Sequence, residues 1–130
     1  MALMKFREPN QVKWQGVRPG HNGTQVLADG QCDNSTIILY TVPAGKVFYW
    51  CGWNMIAYGP AAAGDSYLYI YTAVPAIWRR IQRFFYAITD SRALSKSYWP
   101  PLEIPEGYSI RLVSTVVGHA LQGSIHGWVE

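Results

Sequence analysis

The stretch Ser66 to Val74 constrains this chain most. Leu68, Ile70, Thr72 and Val74 alternate there with Tyr67, Tyr69 and Tyr71. A strict period of two is the side-chain period of a β-strand with one face on a core. The aliphatic set reads as that core face. The tyrosines, apolar in body and polar at the tip, read as either a subunit interface or a ligand platform.

From residue 36 onward the chain repeats the theme. Thr36 to Val42 is β-branched and aromatic and stops at the turn signal Pro43-Ala44-Gly45-Lys46. Val47 to Tyr58 predicts a long strand that is apolar on both sides. Val47, Tyr49, Cys51, Trp53 and Met55 form one face, and Phe48, Trp50, Ile56 and Tyr58 the other. Such a strand is expected to be covered on both faces, and Gly52 in its middle points to a bulge or a close backbone approach. Gly59 to Asp65 reads as a loop. Ile77 to Ile88 fits two periods. Ile77, Ile81, Phe84, Phe85 and Ile88 suit an amphipathic helix, whereas Phe84-Phe85-Tyr86 and the β surroundings favour a strand, which is the reading adopted. Ala93 to Trp99 predicts a short strand stopped by Pro100-Pro101. Pro105-Glu106-Gly107 is a second tight turn, followed by strands over Tyr108 to Thr115 and Ala120 to Val129. Short strands punctuated by turns predict an all-β chain: a single antiparallel two-sheet sandwich of the jelly-roll type.

Residues 1–30 differ. They are polar and turn-rich (Arg18-Pro19-Gly20-His21-Asn22-Gly23), with isolated anchors at Trp14, Val17, Val26 and Leu27. Too few apolar residues are present for a core of their own, so the expectation is an extended N-terminal arm ahead of a sandwich domain over 31–130. Trp14, Val17 and Arg18 are its expected contact residues.

Only 15% of the 130 residues are charged, against about 25% in ordinary domains, while Trp and Tyr number 6 and 9. Surface this poor in charge is expected to be buried against other chains. The formal charge of +3 is local. Removing Arg79, Arg80 and Arg83 from the 11 basic residues leaves 8, which equals the 8 acidic ones. A general polyanion binder would spread its cations along a face, so nucleic acid is not expected. The basic patch suits a phosphate, an acidic neighbour, or a strand edge whose charges suppress pairing. No apolar stretch of signal-peptide length precedes Arg7, Glu8 and Pro9, and no window nears the roughly 20 apolar residues of a membrane span. The expectation is a chain made in the cytoplasm and kept soluble, without membrane attachment and with no address of its own. Cys32 and Cys51 then read as two reduced thiols, and they match no zinc spacing.

Nothing in the sequence composes an active site, and no cofactor or metal is expected. The Pro43-Ala44-Gly45 turn before a strand is reminiscent of the cupins. The following strand, Phe48-Tyr49-Trp50-Cys51-Gly52-Trp53, however, lacks the histidine pair of their metal centre. His119 and His126, seven apart, fall on opposite faces of a regular strand, and His21 sits in the arm. Glu103 and Glu106 flank a turn, where carboxylates are usually solvated rather than paired across a cleft. Asn22-Gly23-Thr24 and Asn34-Ser35-Thr36 match a glycosylation sequon by chance when no export signal is present. What remains is aromatic: the tyrosine row and the exposed candidates Trp14, Trp78, Trp99 and Trp128. Tyr67, Tyr69, Tyr71, Trp50, Trp53 and Trp78 form the expected interface or glycan platform. The few polar neighbours of residues 66–74 (Asp65, Ser66, Thr72) tilt the choice to an interface.

Four stretches carry a family resemblance. Thr36 through Lys46 is similar to the opening of a group of small phage-encoded β-sandwich proteins, and the arm segment Val12-Lys13-Trp14-Gln15-Gly16-Val17-Arg18-Pro19 also resembles theirs. Pro100 through Tyr108, with Gly123 through Glu130, is similar to the end of the same group. The middle of the chain, including the arginine segment 77–88, is unmatched. The resemblance implies a non-enzymatic virion component with a jelly-roll fold, such as a capsid decoration, minor head, spike or tail accessory protein. Its partners would be copies of itself, most simply a homotrimer, together with other virion proteins such as the major capsid protein. The alternative is a carbohydrate-binding module that uses the aromatic platform on a host surface glycan.

Overall fold

A computed structural model describes residues 23–57, 64–86, 92–115 and 120–130. Eight strands make up the described chain: β1 (Thr24–Asp33), β2 (Thr36–Thr41), β3 (Phe48–Ala57), β4 (Gly64–Ala73), β5 (Ala76–Tyr86), β6 (Arg92–Ile104), β7 (Ser109–Ser114) and β8 (Ala120–Val129). They form two four-stranded antiparallel sheets. Sheet I runs β1-β8-β3-β6 and sheet II runs β2-β7-β4-β5. The pairing is nested, first strand with last, second with seventh, third with sixth, fourth with fifth. A long hairpin rolled up in this way has the strand order of a jelly roll.

Two turns of the same kind pin one end of the roll. Gly45 and Gly107 hold φ of 76° and 81°, each at the third position of its turn, where a type II turn requires the left-handed region that glycine reaches freely. Lys46 N donates to the Pro43 carbonyl at 3.2 Å and Tyr108 N to that of Pro105 at 3.4 Å. The turns are laced together by Val42 N to Tyr108 O (2.9 Å) and Gly107 N to Val42 O (3.0 Å). The Glu106 carboxylate accepts from Gly45 N. That contact gives this glutamate a structural partner.

The core lies between the sheets. Phe48, Trp50, Trp53, Met55 and Ala57 of β3 meet Leu68 of β4, Ile110 and Leu112 of β7, and Leu121 and Ile125 of β8. Leu68, Ile110 and Leu112 are fully buried, as their alternation predicted, whereas Val74 of the same register sits in the β4–β5 turn with 88% of its surface exposed.

Several sequence expectations are corrected. Strand β3 is not apolar on both faces. Between Trp50 and Gly52 its register to β8 shifts by one residue, and that to β6 by three, so Cys51 is a bulge against β8 and the alternation changes phase across it. Phe48 and Trp50 before the bulge therefore share the core with Trp53, Met55 and Ala57 after it. Asn54 and Ile56 are left outside, Ile56 with 43% exposure. Strand β6 does not stop at Pro100-Pro101 but continues to Ile104. The ladder to β3 is interrupted between Ser97 and Leu102, and β6 is an edge strand, where a residue without an N–H is tolerated. Of the arm expected over 1–30, residues 1–22 lie outside the described residues and the remainder is mostly strand. Residues 24–30 belong to β1, paired along its whole length with β8 from Thr24↔Val129 to Asp33↔Ala120. The segment 77–88 is strand as far as Tyr86, one half of a hairpin with β4.

Candidate functional site

The sandwich turns two outer faces to its surroundings, and the expected site residues divide between one of these and the core. Trp50 and Trp53 are 0% and 2% exposed and belong to neither an interface nor a platform. The bulge at Cys51 turns them inward. Their indole N–H groups are satisfied there, Trp50 by the Gly52 carbonyl and Trp53 by the Tyr98 hydroxyl, both at 2.9 Å. Buried tryptophans normally need such a partner.

The outer face of sheet II carries the tyrosine row. Tyr71, Tyr69 and Tyr67 stand opposite Trp78, Arg80 and Arg83 of β5, and Tyr71, Tyr69 and Tyr67 opposite Ser109, Arg111 and Val113 of β7. The rings are dressed by arginines. The Arg80 guanidinium lies 4.2 Å from the Tyr67 centroid and 5.3 Å from that of Trp78, and Arg111 lies 4.4 Å from Tyr71. Trp78 leans on Tyr69 at 5.2 Å. Arg111 Nε also donates to Ser109 Oγ at 2.7 Å, and Arg83 pairs with Asp65 at 3.0 Å. Asp65 in turn accepts from the Tyr67 hydroxyl. Tyr69 is 7% exposed, whereas Trp78 and Ile38 of β2 stand out at 49% and 53%.

The three arginines expected as one basic patch therefore part company. Arg80 lies over rings and Arg83 is held by Asp65. Arg79 stands opposite Ile70, a residue packed on the core, and so lies on the core side of an edge strand. Adjacent residues of a strand face opposite ways, and this separates Arg79 from Arg80. Lys96 of β6, opposite Trp53, is placed in the same way on the edge of sheet I. Charges directed inward at an edge discourage another chain from pairing there. Trp14, Val17 and Arg18 lie outside the described residues, as do His21 and His119.

The outer face of sheet I is different, and sequence reasoning singled out Trp128 there but not the polar residues beside it. Tyr49 of β3 and Trp128 of β8 stack at 5.1 Å and 15°, with Trp128 Nε1 donating to Glu130 Oε2 at 2.8 Å. On the next rung His126 packs over Gly52, where a Cβ would meet Lys96 O at 2.6 Å and His126 Cε1 at 2.8 Å. The glycine makes the dent that receives the ring. One rung further, Asp29, Ser124 and Asn54 stand side by side across β1, β8 and β3. A cavity of about 250 Å³ opens there, lined by Leu27, Ala28, Asp29, Asn54, Ser124, Ile125 and His126. Burial pushes the His126 pKa below 6.5. Among the described residues no group of three or more His, Cys, Asp or Glu is placed to hold a metal. Cys32 and Cys51 are buried free thiols, the first pushed up to about 11 chiefly by burial.

No family model matches the chain, and no curated protein does. Among solved structures, one from work on Bacillus endospore appendages, described as a novel family of disulfide-linked pili, is similar. It has 9% identity and a TM-score of 0.41, and the match covers 91% of this chain and 96% of that one. At that likeness it adds nothing on function.

Proposed function

We propose that this chain is a non-enzymatic structural component of a bacteriophage virion that self-associates through the outer face of sheet II, most simply as a trimer. The observation that carries self-association is the composition of that face. Three tyrosines, Trp78, Ile38 and two ring-stacked arginines form a continuous layer of the residue types enriched at the centre of interfaces, with Trp78 and Ile38 left 49% and 53% exposed. The inward-placed Arg79 and Lys96 support contact through a face rather than by strand addition at the β5 and β6 edges. The virion assignment rests on the resemblance in 12–19, 36–46, 100–108 and 123–130. A glycan platform on Tyr67, Tyr69 and Tyr71 is the weaker reading, because Arg80 and Arg111 already occupy ring faces there.

Light scattering coupled to size exclusion tests the association. Three chains of 14.7 kDa are expected, reduced to one by Ile38→Glu or Trp78→Ala. A wild-type monomer overturns the assignment. The virion role predicts peptides of this chain in particles banded on a density gradient from cells that carry its gene. Their absence from pure particles rejects it.

A further inference from the structure

The geometry points to a second, independent site: we propose that the cavity on the outer face of sheet I binds one residue of a neutral saccharide, with the Tyr49–Trp128 pair as an adjoining stacking subsite. The inference does not rest on the virion reading or on the oligomer.

The first argument is hydrogen-bonding capacity. Asp29 offers a carboxylate, Asn54 an amide and Ser124 a hydroxyl. His126, neutral at pH 7 because burial lowers its pKa, offers one donor and one acceptor. All four line a single cavity. Among the described residues none of the four side chains makes an intramolecular hydrogen bond, whereas on sheet II Tyr67 and Arg83 bond to Asp65 and Arg111 to Ser109. Mixed donors and acceptors aimed into one space suit a ligand that is itself both donor and acceptor at every position, as a ring of hydroxyl groups is.

Size, charge and surroundings narrow the class. A volume of about 250 Å³ falls below the roughly 300–1,000 Å³ of drug-sized sites, so a single small ring fits. No cation lines the cavity and Asp29 does, so a phosphate or other anion would be repelled. Two metal-ligating side chains, Asp29 and His126, are too few for a structural metal. Serine, histidine and aspartate are present together, but no hydrogen bond links Ser124 to His126 or His126 to Asp29, and a nucleophile needs such a relay. Leu27, 73% exposed at the rim, supplies an apolar lip for the C–H face of a ring. Residues two apart on a strand are about 6.6–6.8 Å apart. The Trp128 rung therefore lies within one sugar unit of the His126 rung, and its aromatic pair takes the next ring by stacking.

The test is amide NMR of the full chain titrated with glucose, galactose, N-acetylglucosamine and their disaccharides, with inorganic phosphate as the anionic probe. Saturable shifts of the Asp29, Asn54, Ser124 and His126 amides are expected with at least one saccharide, and none with phosphate. Asn54→Ala and Asp29→Asn, at exposed positions, are expected to weaken that binding by about tenfold, the weight of one hydrogen bond to a charged or buried partner. Trp128→Phe should weaken the disaccharide and leave the monosaccharide unchanged. No shift with any saccharide overturns the proposal. Shifts that persist in both variants, that map to sheet II, or that phosphate reproduces overturn it too. Light scattering on the same samples reports the oligomer separately, so failure of one reading leaves the other standing.

Discussion

The two outer faces of this sandwich are built on the same scaffold and handle their polar groups in opposite ways. On the outer face of sheet II the arginines and the Tyr67 hydroxyl are engaged by neighbouring side chains. Arg111 reaches Ser109 and covers Tyr71, Arg83 and the Tyr67 hydroxyl share Asp65, and Arg80 lies between Tyr67 and Trp78. Such a face offers a partner shape and apolar area with its charges already engaged, which suits a broad protein contact. On sheet I the Asp29, Asn54, Ser124 and His126 side chains stand around a dent with their capacity unspent. That arrangement suits a small polar ligand and makes a poor dry interface, since burying unpaired groups is costly. The faces differ in how completely their side chains satisfy one another.

The largest blow to both faces at once should come from the core beneath them. Trp50→Ala removes a fully buried indole together with its bond to the bulge carbonyl. A loss of about 3–5 kcal/mol in urea unfolding is expected. If the variant instead kept its stability and lost only self-association, Trp50 would be an interface residue, and the bulge assignment would fail. Gly52→Ala separates the faces. A Cβ there meets the Lys96 carbonyl and the His126 ring, so a cost of about 1–3 kcal/mol is expected from overpacking. The amide shifts should be concentrated in β3, β6 and β8, with β4 and β5 unmoved. Uniform shifts through both sheets would mean that the dent is not a local feature of sheet I.

A pair of double-mutant cycles probes the contrast itself. Arg111→Ala with Tyr71→Leu should show a coupling of about 1 kcal/mol, the size of a partly desolvated cation–π contact. Asn54→Ala with Ser124→Ala, neighbours across β3 and β8 that make no bond to each other, should add to within about 0.5 kcal/mol of independence. Equal couplings on the two faces would erase the distinction.

How much of this was legible in the sequence follows from where each signal lies. Leu68, Ile70 and the tyrosines alternate within one uninterrupted strand, so the period of two survives and gives both the core face and the aromatic face. Gly45 and Gly107 sit in Pro-x-Gly turns whose geometry demands them. Trp50 and Trp53 were assigned to opposite faces because a single bulged residue, Cys51, changes the phase of β3, and counting by twos cannot see an insertion. Strand β1 went unread because it is an edge strand. Its inward positions Ala28, Gly30 and Cys32 are small, and no aliphatic run marks them. The sheet I cavity was invisible for a different reason. Asp29, Asn54, Ser124 and His126 come from three strands distant in sequence, and only the β1-β8-β3 order makes them neighbours.

The smallest effect is expected from pH. His126 has its folded-state pKa lowered by burial from an ordinary 6.5, so the unfolded chain takes up the proton more readily than the folded one. Its contribution to stability is therefore complete above about 6.5 and declines as the pH falls below that value, ceasing to change once the folded-state pKa has been passed. Other groups titrate over the same range, so the quantity to measure is the difference in urea midpoint between wild type and His126→Gln, followed from pH 7.5 to 5.0. The wild type should lose stability relative to the variant as the solution is acidified, and the saccharide-induced amide shifts on sheet I should fade over the same interval, because a protonated His126 no longer offers an acceptor. Parallel curves for the two proteins would place the imidazole in contact with water in the folded state. The dent over Gly52 would then be shallower than its packing implies, and the two faces would differ in composition alone.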